Sequence, residues 1–122
     1  MYLVGADHPL KARVIALVPQ LLSAREAFVT SAEVFQEIVH RYRAQRDRTH
    51  LDAAYEALEA LVGQVFDVSK TDVDDARTIS AKYEALSARD CLHFAVMRRA
   101  GTHRIWSYDD RFDRIPSIVR IQ

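Results

Sequence analysis

Short β-type runs alternating with longer amphipathic stretches constrain this chain more than any other feature. The runs are Ala27-Phe28-Val29, Val65-Phe66-Asp67-Val68, Arg104-Ile105-Trp106-Ser107 and Ile118-Val119-Arg120-Ile121. The stretches between them carry apolar residues at helical spacing. A strand, a helix and a second strand in succession make a βαβ unit, whose strands lie parallel. The expected fold class is therefore α/β, with a short, mainly parallel central sheet.

Glycine and proline number only three each, so breaks in the helices are few. Helix starts are marked by capping boxes, in which a Ser or Thr oxygen and an acid three residues later satisfy free amide protons reciprocally. Four are present: Thr30-Ser31-Ala32-Glu33, Thr49-His50-Leu51-Asp52, Thr71-Asp72-Val73-Asp74 and Ser87-Ala88-Arg89-Asp90. They predict helices near 31–45, 50–64, 72–85 and 88–100. The first has an apolar stripe of Val34, Phe35, Ile38, Val39 and Tyr42. The last is apolar almost all round through Cys91, Leu92, Phe94, Ala95, Val96 and Met97, which predicts deep packing. A further helix is expected to open at Pro9, where a missing amide proton costs nothing, and to bend or end near Pro19.

A chain of 122 residues fits one domain, 1–122. Lys+Arg and Asp+Glu balance at 17 each, which argues against broad electrostatic coating of nucleic acid. Arg41 to Arg48 is a local basic stretch that could meet phosphate, with a solvated helix end as the plainer account. The single Cys91 can form neither an internal disulfide nor a zinc site alone. Asp7, His8, Lys11 and Arg13 interrupt the apolar residues near the start, unlike a secretory leader. Nothing approaches the roughly 18 to 20 apolar residues of a membrane-spanning helix. The expectation is a soluble, cytoplasmic protein.

In an open parallel sheet, ligands collect beyond the carboxyl ends of the strands. Three acids are expected there. Asp109 follows the run ending at Ser107, Glu37 lies two turns into the helix after Val29, and Asp90 lies in the first turn of the apolar helix. Each has a plainer role. Asp90 completes a capping box. Glu37 lies off the apolar stripe and stands four residues before Arg41, a favourable surface pair. Asp109, Asp110 and Asp113 could form turns around Phe112. His93 reads as a packed core histidine, and Trp106 as core or as a base-stacking ring. His8, His40, His50 and His103 show no metal-ligand spacing.

Three segments carry a resemblance: Thr30-Ser31-Ala32-Glu33-Val34-Phe35-Gln36-Glu37-Ile38, Ser87-Ala88-Arg89-Asp90-Cys91-Leu92-His93-Phe94-Ala95, and Ser107-Tyr108-Asp109-Asp110-Arg111-Phe112-Asp113-Arg114-Ile115. In this order, with a closing Pro-x-Ile-Val strand, the chain resembles the VapC-type toxin ribonucleases of the PIN-domain family. The resemblance implies a PIN-like three-layer α/β/α domain and a metal-dependent endoribonuclease. Glu37, Asp90 and Asp109 would be its catalytic and metal-binding acids, and Ser107 a supporting hydroxyl. Clustered carboxylates need a cation to remain ionised together, and Mg²⁺, or alternatively Mn²⁺, prefers oxygen ligands. The resemblance further implies an RNA substrate, a cognate VapB-type antitoxin, a homodimer and no membrane. The alternative is a catalytically impaired PIN-like antitoxin-binding module or decayed toxin.

PIN domains open with an apolar strand ending in an aspartate. Met1 to Pro9 looks instead like the end of the family's first helix and its loop, so the first strand and first aspartate are expected to be missing. Asp7 is a poor replacement, because Pro9 already opens the next helix and leaves too little chain for the family's first one.

Overall fold

A computed structural model describes residues 1–4, 28–106 and 110–121 of the chain. In chain order its elements are β1 (Tyr2–Leu3), β2 (Val29–Ser31), α1 (Ala32–Ala44), α2 (Arg48–Leu61), β3 (Gln64–Phe66), α3 (Lys70–Lys82), α4 (Ala88–Ala100), β4 (Arg104–Trp106), a 3-10 turn (Asp110–Arg114) and β5 (Val119–Ile121). The strands form one sheet in the order β3-β2-β1-β4-β5, and every pairing is parallel. The expected α/β class, four helices and four strands are all present. The helix expected between Pro9 and Pro19 lies outside the described residues.

One expectation needs correction. The sequence predicts a helix end and loop at the start of the chain, which would leave the sheet without a central strand. Tyr2–Leu3 instead forms β1 at the centre, with Tyr2 beside Val29 and Ile105 and Leu3 beside Trp106. Strand side chains alternate between faces, and here that alternation feeds two cores. Tyr2 and Val4 join Ala76, Ile79, Phe94, Ala95, Met97, Ile105 and Phe112. Met1 and Leu3 join Phe28, Val34, Phe35, Ile38, Tyr42, Leu51 and Leu58. A strand covered by helices on both sides must be apolar on both faces, and Met-Tyr-Leu-Val meets that demand. Helices α3 and α4 cover one face, and α1 and α2 the other.

The helix starts differ from the expected boxes by a residue or two, for physical reasons. Thr30 is buried and its hydroxyl donates to the Leu3 carbonyl at 2.7 Å, tying β2 to β1, so Ser31 takes the N-cap of α1. Asp47, not Thr49, caps α2 by accepting from the His50 amide at 3.1 Å. Ser69, not Thr71, opens α3 in a full box with Asp72. Ser87 caps α4 as expected, accepting from the Asp90 amide at 3.1 Å. At the other end of α4, Gly101 adopts φ 73°, and Thr102 N–H donates to the Met97 carbonyl at 3.0 Å. This left-handed residue ends the helix and turns the chain into β4.

Candidate active site

The strand order reverses at β1: the chain leaves it for β2 and β3 on one side and for β4 and β5 on the other. Such a switch point opens a crevice at the carboxyl ends of the strands. Helix α1 begins directly after β2, and α4 begins at the same edge because its C-terminus leads back into β4. The second turn of α1 and the first turns of α4 therefore face each other across the layer boundary.

Glu37 comes from α1, and its side chain is only 13 % exposed. Arg89 Nε of α4 approaches its Oε1 to 2.7 Å, and the same guanidinium stands 4.0 Å from Glu33 Oε1. His93, one turn further along α4, places Nε2 at 3.6 Å from Glu37 Oε1. Its Nδ1 lies 2.9 Å from the Tyr2 hydroxyl, and the two rings stand 5.7 Å apart at a tilt of 59°. Tyr2 and His93 are buried. A continuous contact chain thus runs from the central strand through His93 to Glu37 and out to Arg89.

Electrostatics follow from burial. Loss of solvent raises the Tyr2 phenol well above its usual range; the charges of Glu37, Glu33 and Asp72 add to this, and nearby Ser31 opposes it. The Cys91 thiol is also pushed up, by burial and then by the charge of Asp90, so it is a packing group rather than a nucleophile. Despite Arg89's approach, Glu37 Oε1 meets no donor in hydrogen-bond geometry. A buried carboxylate oxygen with an unused lone pair suits an oxygen-seeking cation.

The expected site residues fare unequally. Glu37 is turned inward, although it lies off the apolar stripe of α1; α4 across the boundary covers it. Asp90 is half-buried in the first turn of α4, beside Arg89 and one turn before His93. Asp109 and Ser107, with Asp7 and His8, lie outside the described residues. Among the described residues, no group of three or more His, Cys, Asp or Glu converges as a metal site. His93 is buried as expected, yet it also bridges β1 to Glu37, which its apolar helix concealed. The sequence pattern also missed Tyr2 and Arg89. One signal did point to Arg89: Glu33 and Glu37 lie four apart on one helix face and repel unless a cation stands between them. Arg43, Arg46 and Arg48 are exposed, and Arg48 pairs with Asp52 at 3.2 Å, in keeping with a solvated helix end.

The PIN-domain family model matches residues 1–118. The chain belongs to the PIN-domain family. Relatives of this PIN domain include a VapC ribonuclease from Mycobacterium bovis and ribonuclease VapC13 from Mycobacterium tuberculosis. Each is 45% identical over 121 residues, covering 99% of this chain and 92% of the relative. Ribonuclease VapC23 of M. tuberculosis is 37% identical over 109 residues, or 89% of this chain and 86% of that protein. Among solved structures, M. tuberculosis VapC20, described as a sarcin–ricin loop cleaving toxin, superposes with a TM-score of 0.73 at 19% identity, covering 99% of this chain and 98% of that one. A toxin–antitoxin complex from Klebsiella pneumoniae gives 0.64 at 12% identity, covering 98% and 96%. The fold is thus the PIN-like α/β/α sandwich, and no helix among the described residues is long and apolar enough to cross a membrane.

Proposed function

We propose that this PIN domain is a VapC-type endoribonuclease toxin that cuts RNA phosphodiester bonds with a divalent metal ion, Mg²⁺ or Mn²⁺. The observation that carries the proposal is Glu37, whose carboxylate is largely covered and keeps one buried oxygen that no donor meets in hydrogen-bond geometry, facing the Asp90-bearing turn of α4 at the switch point of the sheet. The naming of three VapC relatives at 37% identity or above as ribonucleases supports it.

Glu37, Asp90 and Asp109 are proposed to hold the metal, with Ser107 supporting them. A bound ion would supply an activated water and neutralise charge on the phosphate oxygens. Arg89, 55 % exposed and already beside Glu37, keeps positive charge at the rim where a phosphate arrives. The Arg89 side of this pairing faces solvent, while Glu37 lies on the covered side.

The proposal extends to a single domain over 1–122, a cognate VapB-type antitoxin, a homodimer and a cytoplasmic location. Expression without the antitoxin should arrest growth, and purified protein should cleave RNA only with Mg²⁺ or Mn²⁺. Glu37→Gln or Asp90→Asn should abolish both effects while antitoxin binding persists. Antitoxin binding with no cleavage in either metal would instead identify a non-catalytic module. Equal cleavage in a chelator would overturn the metal role.

A further inference from the structure

We propose that Tyr2 and His93 form a positioning couple, in which the Tyr2 hydroxyl donates to His93 Nδ1 and thereby aims the His93 Nε2–H at Oε1 of Glu37. The proposal rests on the reading of Glu37 as a site acid.

Three observations carry it. The first is the geometry: Tyr2 Oη lies 2.9 Å from Nδ1, and the opposite ring nitrogen lies 3.6 Å from Glu37 Oε1. The second is burial: Tyr2 and His93 are shut off from solvent, so water does not substitute for either partner. The third is that Glu37 Oε1 is buried and, although Arg89 Nε stands 2.7 Å away, meets no donor in hydrogen-bond geometry.

Neutral imidazole carries one ring hydrogen, and the bond made by one nitrogen sets the role of the other. Were the hydrogen on Nδ1, the Nε2 lone pair would face a carboxylate in a buried site, and the two would repel. With the hydrogen on Nε2, Nδ1 is an acceptor and needs a donor. The phenol is that donor, because burial holds it protonated far above neutral pH. The links join residues 91 positions apart in sequence, so the central strand orients an acid on a helix of the opposite layer. Tyr2 and His93 are positioning residues, acting through Glu37 rather than on the phosphate.

Two measurements test this. Ring ¹H–¹⁵N correlation spectra of the metal-free chain should show His93 with its hydrogen on Nε2, and Tyr2→Phe should give a mixture of tautomers. A ring hydrogen on Nδ1 in the native chain, or an unchanged tautomer in Tyr2→Phe, would overturn the proposal. The second measurement is Mn²⁺ affinity by electron paramagnetic resonance. His93→Leu should weaken Mn²⁺ binding by about tenfold, as loss of an outer-shell partner does, while His93→Gln, which keeps an amide donor, should recover most of it. Circular dichroism checks that each variant is folded. Native-like Mn²⁺ affinity in folded His93→Leu, alongside loss of binding in Glu37→Gln, would also overturn the couple. Unchanged Mn²⁺ binding in Glu37→Gln would instead sink the assignment of Glu37, with the tautomer experiment still deciding the couple.

Discussion

The link between α3 and α4 allows a stability prediction to be worked from its parts. Asp72 is fully buried in the first turn of α3. Its carboxylate accepts from Arg99 Nε at 2.8 Å, from Arg99 Nη2 at 3.0 Å and from the Ser69 amide at 2.9 Å. Arg99 Nη2 also donates to the Asp67 carbonyl at 2.7 Å. Arg99→Met keeps most of the aliphatic stem and removes all three guanidinium bonds. Stripping one partner from a fully buried pair costs roughly 3–5 kcal/mol. Arg99 is 44 % exposed, however, so its charge is partly screened and water can replace it. About 2 kcal/mol is the expected cost, or about 6–10 °C in Tm for a domain of this size.

The pH dependence sharpens this prediction. Hydrogen bonds from Arg99 hold the Asp72 carboxyl below its usual range, outweighing the opposing effect of burial. A depressed carboxyl contributes stability that is present above its unfolded value, near pH 3.9, and lost as pH falls through the folded one. The native chain and Arg99→Met should therefore differ most near pH 7 and converge as pH drops below about 4. Urea titrations followed by circular dichroism at pH 7, 5 and 3 would measure the gap. A gap under about 0.5 kcal/mol at pH 7, the scatter of ordinary surface changes, would refute the energetic argument. A gap constant down to pH 3 would refute the ionic one.

Leu3→Ala should cost about 3 kcal/mol by urea titration, within the usual range for a buried leucine; a loss below 1 kcal/mol would mean that β1 is not a packed central strand. Thr30→Val keeps the shape but removes the donor to the Leu3 carbonyl, so a loss of about 1–2 kcal/mol is expected in the same assay. Cys91 is buried with its thiol pushed up, so a thiol reagent at pH 8 should label it only in denaturant. Fast labelling of the native chain would show that α4 opens readily.

Much of the fold was legible because it rests on local repetition. The stripe of Val34, Phe35, Ile38 and Tyr42, with Val39 at its exposed edge, and the encircling apolar residues of α4 are properties of neighbours along the chain. Helix starts were legible only to within a residue or two. Thr30 and Ser31, or Ser69 and Thr71, are equally good caps until the sheet claims one of them. The site was less legible. Asp90 and Glu37 were singled out by motif, but Glu37 lies off its own helix's apolar stripe, and nothing local predicts its burial. Its cover comes from α4, some fifty residues later.

The sequence by itself determined the α/β class, the four helices and the family, because periodicity, capping chemistry and ordered motifs act over a few residues. Tertiary structure alone decided what the first four residues become. Met1 to Val4 read as the tail of a helix, yet they form the strand between β2 and β4, where both faces must be apolar. It also decided that His93, one buried residue among many in α4, stands between Tyr2 and Glu37. Contacts between residues 91 apart in the chain depend on how the layers close, and no short-range pattern encodes that.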